Sequence, residues 1–135
     1  MTLQVDKKAI KQSFGRALTA PTFLVRFYET LIACSPEIAE KFANTDLSKQ
    51  YELLEHSLAM AMLFPDNNVV SKQVINKIRE SHNRQNLNIS PELYTEWLDS
   101  LMVVLNEVDS EFSPELEQQW RSFLTIAIDH IKAGY

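Results

Sequence analysis

Residues 69–82, VVSKQVINKIRESH, decide how the chain is read. Wound as a helix, this stretch sets Val74, Ile78 and His82 at four-residue spacing, so the imidazole shares a face with apolar side chains rather than with the charged ones. That face looks inward. A histidine held there is either a core or helix-end residue satisfied by a carbonyl, or a metal ligand aimed into a pocket. The surrounding segments bear on the choice.

Upstream, residues 64–68, FPDNN, form a turn. Before it a helix is expected over residues 47–63 with Asp46 as its cap. Its inner face carries Gln50, Leu54, Ser57, Leu58 and Ala61. Downstream, residues 83–89 form a polar loop. Two further helices follow: one from Ser90 with Tyr94, Trp97, Leu98, Leu101, Leu105 and Val108 on one face, and one from Ser113 with Leu116, Trp120, Phe123, Leu124, Ala127 and Ile131. Nearer the N-terminus, a helix over residues 6–17 aligns Ile10, Phe14 and Ala17. After the break at Thr19-Ala20-Pro21, a second helix bears Phe23, Leu24, Phe27, Tyr28, Leu31 and Ile32. A short helical turn runs from Pro36 to near Phe42. Ser35-Pro36-Glu37, Ser90-Pro91-Glu92 and Ser113-Pro114-Glu115 each combine a capping hydroxyl, a first-turn proline and an acid at the positive end of the helix dipole, and so mark three helix starts. No strand-like alternation of useful length intervenes. The expected class is all-α, one domain over residues 1–135.

Composition agrees. A chain of 135 residues that is 45% hydrophobic and 23% charged, with two glycines, can bury one real core and favours helices over tight-turned strands. A net charge of -5 without a Lys/Arg cluster speaks against nucleic acid or an anionic membrane surface as the main partner. No window approaches the roughly 18 apolar residues of a membrane span, and the N-terminus, MTLQVDKKAI, has no basic segment leading into a long apolar run, so a cytoplasmic protein is expected. Cys34, the only cysteine, permits no intramolecular disulfide. It is expected as a small buried side chain near a helix end, in a reducing compartment.

Collecting the polar residues that lie on apolar helix faces gives Tyr28, Gln50 and His82, with Phe42 between the first two. With Phe27-Tyr28, Ser35-Pro36-Glu37-Ile38 through Lys41-Phe42, Lys49-Gln50, Glu80-Ser81-His82 and Ile89-Ser90-Pro91-Glu92-Leu93-Tyr94 in this order and spacing, the chain resembles the single-domain bacterial globins and the globin domain of flavohaemoglobins over nearly its whole length. The resemblance implies a globin fold of seven to eight helices around a haem b (iron protoporphyrin IX), with His82 as the proximal iron ligand through a neutral imidazole. It also implies Phe42 stacked on the porphyrin, Leu54 closing the distal side, and Tyr28 and Gln50 as the distal pair of hydrogen-bond donors. Leu53 and Ile78 complete the expected pocket. O2, NO and CO are the implied small ligands.

Some readings stay open at this level. Tyr28 also fits a half-buried core tyrosine with its hydroxyl at the surface. The short stretch from Phe42 to Gln50 leaves the register of the distal helix free by one to three residues, and a slipped register brings Lys49 or Leu53 to the haem edge. Tyr94, Trp97 and Trp120 are assigned to the core, although Tyr94 matches a flavohaemoglobin position close to the proximal histidine. By its angle around the helix, His56 points away from Gln50 and Leu54. His130, in the last helical turn, reads as a cation favoured by the dipole.

In flavohaemoglobins a glutamate late in the last helix bonds the proximal histidine; here the matching place falls near Tyr135, and Asp129 is not aligned with it. With no reductase segment in the sequence, NO oxidation requires an external electron donor. The expected function is reversible binding or storage of O2, or NO detoxification with such a donor. The alternatives are a gas or redox sensor and a haemless globin-fold interaction protein. The oligomeric state is not specified.

Overall fold

Asp6 opens the first helix by accepting the Ala9 amide at 3.0 Å, the side-chain cap that satisfies one of the orphan donors of a helix start. In the computed structural model, which describes residues 6–135, α1 (Lys7–Thr19) is followed by α2 (Phe23–Cys34), α3 (Pro36–Lys41), α4 (Leu47–Leu63), a 3-10 turn (Phe64–Asp66), α5 (Val69–Ser81), α6 (Leu93–Val108) and α7 (Pro114–Lys132). The described residues contain seven α-helices and no strand, so the all-α expectation holds. Residues 1–5, part of the N-terminal segment read above for targeting signals, lie outside the described residues. No helix is long and apolar enough to cross a membrane among the described residues.

The caps explain most of the boundaries. Ser35 accepts the Ile38 amide and Ser113 the Leu116 amide, each with proline in the first turn. Asp46 accepts from Ser48 and Asn68 from Ser71. The remaining Ser-Pro-Glu, at Ser90, does not cap: α6 starts at Leu93 without a side-chain cap, and the Ser90 backbone carbonyl, not its hydroxyl, takes the Leu93 amide at 3.0 Å. The preceding loop accounts for this. It folds back on the end of α5, where Leu87 N–H donates to Ser81 C=O and Ile89 N–H to His82 C=O, and Asn88 takes a left-handed φ of 53° to allow it. Helix α6 can begin only after that return.

Helices α2 and α6 cross through the core, with Phe27 edge-on to Trp97 at 5.6 Å. A buried polar knot ties α1 to α7 and to the end of α6. Trp120 Nε1 donates to Ser13 Oγ at 3.0 Å, Ser13 donates to Asp109 Oδ2 at 2.6 Å, and Arg16 grips both Asp109 oxygens at 2.5 and 3.1 Å. Burial alone would push the Asp109 carboxyl up, but the hydrogen bonds from Arg16 and Ser13, the Glu111 amide and the Arg16 charge hold it below its ordinary value. Every member of the knot is satisfied, the condition under which buried polar groups fix a fold rather than weaken it.

Two side chains sit elsewhere than the sequence reading put them. Cys34 is exposed, not buried: it is the last residue of α2, where the chain turns into α3, and only its Sγ, 3.1 Å from Ser100 Oγ, faces the neighbouring helix. His130 is not a free cation at the helix end. Its Nε2 lies 2.6 Å from Asn76 Oδ1, its Nδ1 3.5 Å from an Arg79 nitrogen and its ring 5.1 Å from Phe64, and burial followed by the Arg79 charge lowers its pKa.

Candidate functional site

Helices α4 and α5 pack against one another, and together with side chains of α2, α3, α6 and α7 they line a cavity of about 650 Å³. That volume is within the range of small-molecule and cofactor sites. All seven residues singled out from the sequence line it: Tyr28, Phe42, Gln50, Leu53, Leu54, Ile78 and His82.

One wall comes from α2, the end of α3 and α4. Tyr28 is 3% exposed, and its ring is wedged edge-on between Phe27 at 5.1 Å and Phe42 at 5.5 Å, with Tyr51 at 5.7 Å. A surface hydroxyl is therefore ruled out. Its Oη donates to the Gln50 backbone carbonyl, but at 3.4 Å the bond is weak. Burial raises the Tyr28 pKa to about 12, more than the Gln50 carbonyl lowers it, so the phenol keeps its proton near neutral pH. The Asp46 cap fixes the register of α4: Gln50 stands in its first turn facing the cavity, Leu53 at the mouth is 55% exposed, Leu54 lies deeper at 5%, and Lys49 is solvated. No hydrogen bond engages the Gln50 side chain among the described residues. His56 is exposed.

On the α5 wall, the inward stripe is Ser71, Ile75, Ile78 and His82. Ile78 and His82 stand where the sequence expectation put them, and Ile75 takes the place expected of Val74. Val74 is only partly buried, because the stripe closes through steps of four and three rather than through fours alone. His82 is the cap residue of α5, and burial lowers its pKa, favouring the neutral imidazole. Its Nδ1 lies 2.8 Å from Tyr94 Oη, and its Nε2 has no partner among the described residues.

Tyr94 and Trp97, which the sequence reading consigned to the core, line the cavity, as do Ile75, Leu124, Ala127, Ile128 and Ile131; Trp120 is core. The one signal that could have flagged Tyr94 is a hydroxyl on the otherwise apolar face of α6. For the aliphatic residues no signal distinguishes pocket wall from core, since both are apolar and helical.

The donor set fits one kind of cofactor. Among the described residues no cluster of three or more His, Cys, Asp or Glu could hold a bare ion. A metal that brings most of its ligands with it, as iron does in a porphyrin, needs a single neutral imidazole and an apolar slot, and both are here. Phe42, Leu54, Ile75 and Ile78 provide apolar faces toward the slot.

The globin family model matches residues 25–131, α2 through α7, and the chain belongs to the globin family. Haem binding is general in that family. Among solved structures, the chain is similar to a Pseudomonas aeruginosa protein whose crystal structure is described as structurally highly homologous to a human hemoglobin. The two share 33% sequence identity and superpose with a TM-score of 0.90 over 96% of this chain and 97% of the other. No curated protein matches.

Proposed function

We propose that the protein is a haem-binding globin that takes up O2 reversibly, with haem b seated between α4 and α5 and His82 Nε2 as its protein ligand. The observation that carries this reading is the meeting, in one apolar cavity, of an imidazole nitrogen without a partner among the described residues and two neutral donors on another wall, Tyr28 and Gln50. A haem held there supplies an iron that binds O2, CO or NO.

The rest is done by the chain. His82 stays neutral because burial disfavours its cation, which keeps the ring lone pair available. Phe42 and Leu54 exclude water from the slot. Tyr28 keeps its phenolic proton and trades its long bond to the Gln50 carbonyl for a better one to a ligand that carries partial negative charge. The Gln50 amide gives a second donor. Such bonds discriminate by charge, so O2, the more polarised ligand, is retained more than CO.

A donor facing a partly charged acceptor contributes about 1.5–3 kcal/mol, or roughly ten- to a hundredfold in release rate. Tight, slowly released O2 suits storage, or NO oxidation with an external reductase, better than rapid carriage.

O2 and CO dissociation rates of the native protein and of Tyr28→Phe test the reading. The substitution is expected to speed O2 release about tenfold or more while changing CO release less. Equal changes for the two gases would remove Tyr28 from the distal role.

A further inference from the structure

We propose that Tyr94 is the positioning residue of His82: its neutral phenol, rather than a backbone carbonyl or a carboxylate, fixes the imidazole's tautomer and plane and keeps the histidine a weakly donating ligand. This rests on the haem reading above and goes beyond it to the electronic character of the site.

The geometry leaves His82 Nδ1 one partner. The carbonyl one turn back, Ile78 C=O, already accepts two hydrogen bonds, from the His82 amide at 3.0 Å and from Ser81 Oγ at 3.0 Å, which fills the two lone pairs of a carbonyl oxygen. The His82 carbonyl is occupied by the Ile89 amide. Among the described residues no carboxylate contacts the ring, and Asp129, the acid nearest in sequence to the flavohaemoglobin glutamate, is exposed. Tyr94 Oη, 2.8 Å from Nδ1, comes from the first turn of a different helix. The two rings stand 6.1 Å apart at 34°, so the bond ties the end of α5 to the start of α6.

The consequence follows from proton positions. An imidazole that offers the Nε2 lone pair to a metal keeps its proton on Nδ1, and that N–H donates to Oη. A carboxylate in the accepting place would draw the proton and make the ring more basic. A neutral phenol draws it far less, and among the described residues no second hydrogen bond polarises Oη. The ligand therefore remains a plain imidazole, which suits reversible gas binding and withholds the electron push that favours O–O cleavage.

The test uses haem-reconstituted native protein, Tyr94→Phe, Tyr94→Glu and His82→Ala, read by the ferrous iron–histidine stretching mode in resonance Raman spectra and by the rate of haem transfer to apomyoglobin. Tyr94→Phe is expected to lower the stretching frequency and to speed haem loss about tenfold. Tyr94→Glu is expected to raise the frequency and lower the midpoint potential. Either variant decides alone, so misfolding of one leaves the proposal exposed through the other. A mode that disappears in His82→Ala but does not move in Tyr94→Phe, or in Tyr94→Glu, overturns this inference and spares the function. A native protein without the mode, or one that keeps it in His82→Ala, overturns the function itself.

Discussion

The two walls of the cavity are built to different standards of rigidity. On the His82 wall the imidazole is held by a 2.8 Å bond from another helix, and the carbonyls around it are engaged by its own helix and by the folded-back loop. On the distal wall Tyr28 makes a single 3.4 Å bond and the Gln50 side chain makes none among the described residues, although aromatic rings fix the position of Tyr28. One wall is firmly bonded; the other keeps its donors weakly engaged. That contrast fits a site in which the anchor must not move and the donors must be free to turn to whatever arrives.

The contrast can be broken most severely at the anchor. His82→Ala should weaken haem binding by more than a hundredfold, beyond the ten- to hundredfold usual when only a residue behind a metal ligand is removed; hemin titration measures it. At the distal wall, Gln50→Leu should speed O2 release by about tenfold or less. If Tyr28 and Gln50 act on one ligand, the Tyr28→Phe/Gln50→Leu double variant should depart from the product of the single effects in O2 release kinetics.

Acid probes the walls unequally. Because burial holds the folded-state pKa of His82 below the ordinary 6.5, the unfolded chain binds more protons there. Stability of the haem-free protein should therefore be full above pH 6.5 and decline as the pH falls from 6.5 toward the folded-state value. His82→Gln should flatten part of that decline in denaturant titrations, His130 supplying a further part with the same sign. Tyr28 contributes no such slope near neutrality, since its pKa lies at about 12. The smallest effect belongs to His56→Ala, an exposed position on the outer face of α4, where thermal unfolding should change by no more than about 0.5 kcal/mol.

What the sequence revealed follows the same division. The helices were legible because capping side chains and 3.6-residue periodicity are local: Ser35, Asp46 and Ser113 are read without knowing the fold. The candidate polar residues were legible because a Tyr, Gln or His on an apolar face violates the pattern. The register of α4 became definite only with the Asp46 cap in three dimensions. Non-local facts stayed hidden. Ser90 fails as a cap because the loop returns onto α5, and Tyr94 becomes the partner of His82 because α6 crosses there; neither relation is written in spacing along the chain. Ile75 was missed for a simpler reason, a one-residue error in drawing the helical stripe.

Titration of the haem-free native protein with hemin, followed by visible absorption and by thermal unfolding, bears most directly on the central claim. Uptake is expected to saturate at one haem per chain, with an intense porphyrin band and a fold stabilised by about 4 kcal/mol at a thousandfold excess over the dissociation constant. A chain that stays colourless and unfolds at the same temperature with and without hemin contradicts it.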